Sequence, residues 1–200
     1  MKNLVNLVII DMQNDFMDDG KLPVKGAYQA KNVIEQYIKD HYDEIGWTIL
    51  SKDVHPKNHC SFIKYGGLYP EHCVEHTNGT NFSFDISVLC GIPQFWIVKG
   101  NNKTRDELSA FKACFNYSKH YIVFSDAVCD VHLSKYDEYV VCGVAGDICV
   151  LETLKDMIKY IPSENITVLW NGIASLDNGE KLLKFCKDNN IAINYYGESI

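Results

Sequence analysis

The chain has no block of basic residues, no GxGxxG or Walker-type glycine loop, no CxxC pair, no internal repeat and no low-complexity tract. Each absence removes a class of function. Without clustered Lys and Arg, and with a formal net charge of -7 over 200 residues, neither a nucleic acid nor an anionic membrane is expected as a partner, because both need a concentrated positive field. Without the glycine loops, neither a dinucleotide nor a nucleoside triphosphate is implied. Eight cysteines are present, but they are scattered through a chain long enough not to need staples. They read as reduced thiols of a cytoplasmic protein, not as a disulfide framework or a zinc ribbon. The apolar stretch 4–10 is too short to span a bilayer, is broken by Asn6 and ends in Asp11 with no cleavage-site pattern. No export signal or membrane span is expected. A small molecule is the expected partner.

What is there is an alternation of apolar runs and helical patterns. At 46% apolar composition, the chain can bury one sizeable core, so a single domain over residues 1–200 is expected. The run 4–10 reads as a central parallel strand buried on both faces. A loop rich in turn formers follows to Pro23, then a helix over 27–45 with Ala30, Val33, Ile34, Tyr37 and Ile38 on one face. Further strands are expected at 47–50, 95–98, 121–124, 139–142, 166–169 and 191–195, and helices at 106–114, 150–160 and 181–187. The segment 51–89 is polar and far longer than an ordinary connection, which points to function. The expected architecture is α/β, a three-layer α/β/α sandwich on a mostly parallel sheet of about six strands, with ligands outside the strands' carboxyl ends.

Three chemically distinct groups fall at those ends: Asp11 after the first strand, Lys99 after the third, and Cys149 in the turn Gly143-Val-Ala-Gly-Asp-Ile-Cys149 that opens a helix. A thiol at a helix start meets unsatisfied N–H groups and the positive end of the macrodipole, which favours its thiolate. An ammonium beside it adds to that effect, and a carboxylate can take up the thiol proton and hand it to a leaving group. After the second strand, Asp53 and His55 stand two apart on an extended chain and so share a face. With His72 they make a mixed N/O shell that suits zinc, iron or manganese. His59 and His76 are spare ligand candidates. His41, His120 and His132 read as surface or packing residues.

These stretches resemble the isochorismatase-like cysteine hydrolases, and among them the nicotinamidases. The resemblance rests on Asp11-Met-Gln-Asn-Asp15-Phe16, Asp53-Val-His55-Pro-Lys-Asn-His-Cys-Ser-Phe62, Tyr69-Pro-Glu-His72-Cys-Val, Lys99-Gly100 with Ser109-Ala-Phe111, and Gly143-Val-Ala-Gly-Asp-Ile-Cys149-Val, in that order. It implies a triad of Asp11, Lys99 and Cys149, and one divalent transition metal, zinc first and iron or manganese as alternatives, on Asp53, His55 and His72. It also implies an oxyanion hole from the N–H groups of Ala145 and Cys149, with a cis peptide between Val144 and Ala145. Phe16, Leu22 and Tyr69 would line the ring pocket. The implied reaction is hydrolysis of nicotinamide to nicotinate and ammonia through a Cys149 thioester. The alternatives are action on pyrazinamide, another small amide or isochorismate, or a catalytically silent metal-binding scaffold. A homo-oligomer is compatible with this fold. Val54, Tyr69 and Gly146 depart from the family's commonest residues, which bears on the shape of the pocket.

Overall fold

The computed structural model describes residues 4–111, 122–124, 127–129 and 133–197. Its strands are β1 (Val5–Ile10), β2 (Ile45–Asp53), β3 (Gln94–Lys99), β4 (Ile122–Phe124), β5 (Ala127–Cys129), β6 (Glu138–Gly143), β7 (Ile166–Ile173) and β8 (Ala192–Asn194). They form one sheet in the order β5-β4-β3-β2-β1-β6-β7-β8. The six strands from β3 to β8 in that order pair in parallel, whereas β4 and β5 pair antiparallel at the β3 edge. The expected mostly parallel sheet is therefore present, with the strand expected at 121–124 appearing as β4 and one unexpected strand, β5, added at its edge. β5 lies in the link before residue 139, where the sequence shows no legible pattern.

β1 is apolar except for Asn6, whose Nδ2 donates to Asp137 Oδ2 at 3.1 Å, because both its faces are covered. Leu7 and Ile9 belong to one core cluster with Ala27, Ala30, Ile34 and Ile38 of α1 (Ala27–Asp40). Val8 and Ile10 belong to the other, with Leu151 and Leu154 of α2 (Leu151–Met157) and Leu182 and Cys186 of α3 (Glu180–Asp188). The period-two alternation of a strand explains the division. α1 is capped from a distance: Asp18 accepts from Gly26 N–H (2.7 Å) and Tyr28 N–H (2.9 Å), satisfying donors that a helix start leaves open.

Two boundaries differ from expectation. α1 stops at Asp40, and Ile45, expected in the helix, opens β2, where it is buried and registers with Val5. The helix expected over 106–114 is helical at Ala110 and Phe111 only, among its described residues, with 106–109 irregular. Residues 112–114 lie outside the described residues. Among the described residues no helix is long and apolar enough to cross a membrane.

The chain builds β1, β2 and β3 in one direction, then returns to the other side of β1 with β6, β7 and β8. The place where strand order reverses lies between β1 and β6, and a crevice at the carboxyl ends is the natural ligand position there. Asp11 follows β1, Asp53 and Lys99 end β2 and β3, and the Cys149 turn follows β6.

Candidate active site

Asp53 and Lys99 are register partners across β2 and β3, so their side chains leave the sheet side by side. Lys99 is fully buried, and its Nζ lies 2.7 Å from Asp11 Oδ2, 2.6 Å from Asp53 Oδ1 and 3.5 Å from Cys149 Sγ. Asp11 sits in the left-handed region at φ 48, which interrupts the alternation of β1. Its N–H bonds Ser51 O (3.2 Å), and Ser51 Oγ donates to Asp11 Oδ1 at 2.7 Å. Asp11 Oδ2 faces Lys99 Nζ at 2.7 Å, and among the buried side-chain N and O atoms of the described residues it alone lacks a well-aligned hydrogen bond. One ligand atom each from Asp11, Asp53 and Cys149 lies within 4.8 Å of the others, so the Asp11 carboxylate stands near the thiol.

Cys149 is held by a wide turn over Gly146–Val150 that runs into α2. The N–H groups of Ile148 and Val150 both bond Ala145 O at 3.1 Å, and that of Gly146 bonds Ala174 O at 2.8 Å. The Val144–Ala145 peptide is cis. Gly143 has φ 117, and a Cβ there would stand 2.1 Å from Ile10 O, so only glycine lets β6 leave the sheet this close to β1.

The charges determine the resting proton inventory. Burial raises the Asp11 carboxyl above its usual value, against the pull of Lys99. Burial also opposes the charged form of Asp53, but Lys99 and His55 outweigh it, and its carboxyl is held well below the usual range. Lys99 is likewise disfavoured by burial, yet Asp11 and Asp53 hold it firmly protonated. Burial pushes the Cys149 thiol well up despite Lys99, with both carboxylates adding to the rise. One ammonium already serves two carboxylates, and a thiolate would be a third anion. The chain's own charges therefore hold Cys149 as a thiol at rest, where the helix-start position alone suggested a thiolate.

Asp53, His55 and His72 offer one ligand atom each within 4.8 Å of one another, all buried. The backbone brings them together, because His55 N–H bonds Cys73 O and Glu75 N–H bonds His55 O, both at 2.8 Å. The Nδ1 atoms of His55 and His72 each face a carbonyl at 2.8 Å, of Gly100 and Pro70. A carbonyl only accepts, so Nδ1 carries the proton in both rings and each Nε2 keeps its lone pair for the site. His55 Nε2 lies 3.6 Å from Asp53 Oδ2, close to the roughly 3.4 Å that separates two ligands of a tetrahedral zinc. The donor set fits a divalent metal. A second grouping, Asp11 with Asp53 and Cys149, does not, because Lys99 already places a positive charge among those atoms.

His59 does not join the ligands. Its Nδ1 pairs with Ser61 Oγ (2.7 Å), its Nε2 with Arg105 O (3.2 Å), and its ring stacks on His55. His76 is exposed, and His41 stacks on Tyr37 as a packing residue. His120 and His132 lie outside the described residues. A cavity opens over the site, lined by Phe16, Leu22, Tyr69, His72, Ala145 and Cys149, and also by Val24, Asp53, Asp106, Leu108, Ile148 and Leu176. Asp106 was expected to open a helix but stands on irregular backbone, Leu176 follows the end of β7, and Ile148 could have been found from its place beside Cys149. Asp53 carries a second connection, to Lys99, that the DxH pattern does not reveal.

No family model matches the chain. It is 28% identical to the nicotinamidase of Escherichia coli over 168 residues, covering 76% of each protein. Among solved structures it is similar to the zinc complex of pyrazinamidase from Pyrococcus horikoshii (TM-score 0.73, 26% identity, 96% of this chain and 98% of that one). It is also similar to PnC1 from L. infantum in complex with nicotinate (TM-score 0.72, 25% identity, 97% and 93% covered). In sequence and in fold the chain is thus similar to nicotinamidases and pyrazinamidases.

Proposed function

We propose that the protein hydrolyses nicotinamide to nicotinate and ammonia, with Cys149 as nucleophile, Asp11 as proton carrier and Lys99 as their electrostatic partner. The observation that carries this reading is the buried Lys99 Nζ, which lies 2.7 Å from Asp11 Oδ2, 2.6 Å from Asp53 Oδ1 and 3.5 Å from the Cys149 thiol and so gathers a carboxylate and a nucleophile around one ammonium. The relatives described above supply the substrate class.

Asp11 takes the thiol proton as Sγ attacks the carboxamide carbon, so the thiolate arises only in the step that uses it. The N–H groups of Ala145 and Cys149 stabilise the charge on the carbonyl oxygen. Asp11 returns the proton to departing ammonia, leaving a thioester on Cys149. A water then attacks, giving its proton to Asp11 and finally to the thiol, and nicotinate leaves. Lys99 keeps Asp11 ionised between these transfers. A divalent ion on Asp53, His55 and His72, zinc first with iron or manganese as alternatives, would supply a Lewis-acid anchor for the ring nitrogen. Phe16, Leu22 and Tyr69 would flank the ring. The Asp106 carboxylate in the wall favours a neutral amide over a dicarboxylate such as isochorismate, through like-charge repulsion. Cysteines that are free at all six described positions favour a reducing, cytoplasmic setting.

The test is ammonia release from nicotinamide and pyrazinamide, and pyruvate release from isochorismate, with metal removed by chelation and restored. Ammonia release from the amides, lost on chelation and regained with zinc, iron or manganese, is the expected outcome. Turnover of isochorismate alone, or amide turnover indifferent to chelation, refutes the proposal.

A further inference from the structure

The first loop alternates polar side chains, Asp11, Gln13 and Asp15, and each reaches a different part of the site. Gln13 is fully buried. Its Oε1 accepts from Asp53 N–H at 2.7 Å, while its Nε2 donates to Asp53 O at 2.7 Å and Thr80 O at 3.1 Å. One amide thus holds both backbone groups of Asp53, the residue shared between Lys99 and the metal ligands. Asp15 is also buried, and its Oδ2 accepts from Cys73 N–H at 2.7 Å. Cys73 directly follows the ligand His72 and sits in the left-handed region at φ 45, where a non-glycine residue needs an external hold. Gly79 closes over Asp15: a Cβ at 79 would stand 1.9 Å from Oδ2. Phe16, next in the loop, packs its ring 5.5 Å from that of His72.

We infer that Gln13 and Asp15 are positioning residues of the metal centre, which together set the separation of Asp53 from His72. Neither offers an atom to the ion. Gln13 fixes the Asp53 end through its peptide groups, and Asp15 fixes the His72 end through the next residue's N–H. Because Asp11 begins the same loop, the brace also registers the metal against the thiol. The inference rests on the proposed metal reading, and it deepens that reading.

Zinc affinity, measured on the full chain by competition with a chromophoric chelator, tests this without turnover. Partners behind metal ligands typically contribute about 10–100-fold to affinity. Asp15→Ala is expected to weaken zinc binding by about that factor, whereas Asp15→Asn, which keeps a neutral acceptor for Cys73 N–H, stays within about threefold of the parent. Gln13→Glu keeps the acceptor but turns an oxygen toward Asp53 O, and is expected to weaken zinc by about tenfold or more. Cobalt(II) loaded into the weakened variants should show a shifted visible spectrum, which a general loss of stability would not produce. Folded Asp15→Ala and Gln13→Glu proteins that bind zinc within about twofold of the parent overturn the inference. If Asp15→Ala does not fold, Gln13→Glu decides by the same criterion. A parent that binds no zinc overturns the metal reading and this inference with it. A parent that binds zinc without releasing ammonia refutes only the activity.

Discussion

Replacing Lys99 with Met removes the one cation at the centre of the triad while nearly keeping side-chain volume. In the parent, two carboxylates and one ammonium share a space from which water is excluded, Lys99 and Asp11 being wholly buried and Asp53 nearly so. Without the ammonium, two carboxylates with ligand atoms within 4.8 Å face each other. At an effective dielectric of about 20 their repulsion is roughly 3.5 kcal/mol, enough with burial to keep one of them protonated at neutral pH. Breaking a buried pair costs about 3–5 kcal/mol of stability, and loss of a working proton carrier costs about 100–10,000-fold in rate. The pH dependence carries the sharper signature. In the parent, the lowered Asp53 carboxyl contributes stability above its unfolded value, and that contribution is lost as pH falls through the folded value. In the variant, a carboxyl raised above its unfolded value makes the folded state bind more protons, so stability should rise as pH falls from 7.5 to 5. Urea unfolding at the two pH values reads this directly. A variant that loses less than about 1 kcal/mol, or becomes less stable at pH 5 than at 7.5, would refute a buried charge cluster centred on Lys99.

Cys149→Ala should fall to background in ammonia release while retaining its fold and its zinc, checked by circular dichroism and chelator competition; substantial residual release would exclude it as the nucleophile. Gly143→Ala should destabilise the protein by about 2 kcal/mol or more, because a Cβ meets Ile10 O at a left-handed position; a thermal melt matching the parent would show that β6 can leave the sheet another way. Brief alkylation at pH 8 read by mass spectrometry should label exposed Cys90 ahead of Cys186, whose thiol burial pushes up to about 11. Equal labelling would contradict the burial of Cys186 beneath α3.

The fold was legible where its signal is local. Buried parallel strands such as β1 are nearly continuous apolar runs, interrupted there only by Asn6, and α1 shows its spacing, so both could be read from composition and period. The start of β2 was not, because Ile45 fits the end of an amphipathic helix as well as the start of a strand, and only pairing with Val5 decides between them. Residues 121–124 read as a strand and form β4, but β5 is only three residues long and the antiparallel pairing of the two carries no local signal. The convergence of Asp11, Lys99 and Cys149 was legible because residues at different strand ends meet once the sheet is parallel, and the pairing of Asp53 with His55 was legible from the DxH spacing. Whether His59 would join them was not legible, since that depends on Ser61 and Arg105 O holding its ring elsewhere.

By itself, the order of residues determined which chemical groups are available and at which strand ends they stand, because strand and helix periods are properties of short segments. Tertiary structure alone decided the proton inventory of Asp11, Lys99 and Cys149, since it depends on burial and on distances of 2.6–3.5 Å between residues far apart in the chain. It also decided that Asp53 serves both the cation and the metal ligands, because only the register of β2 with β3 sets Asp53 opposite Lys99. The crevice wall followed the same rule: Asp106 and Leu176 reach it through irregular backbone, whose course is determined by packing and not by any repeat in the sequence.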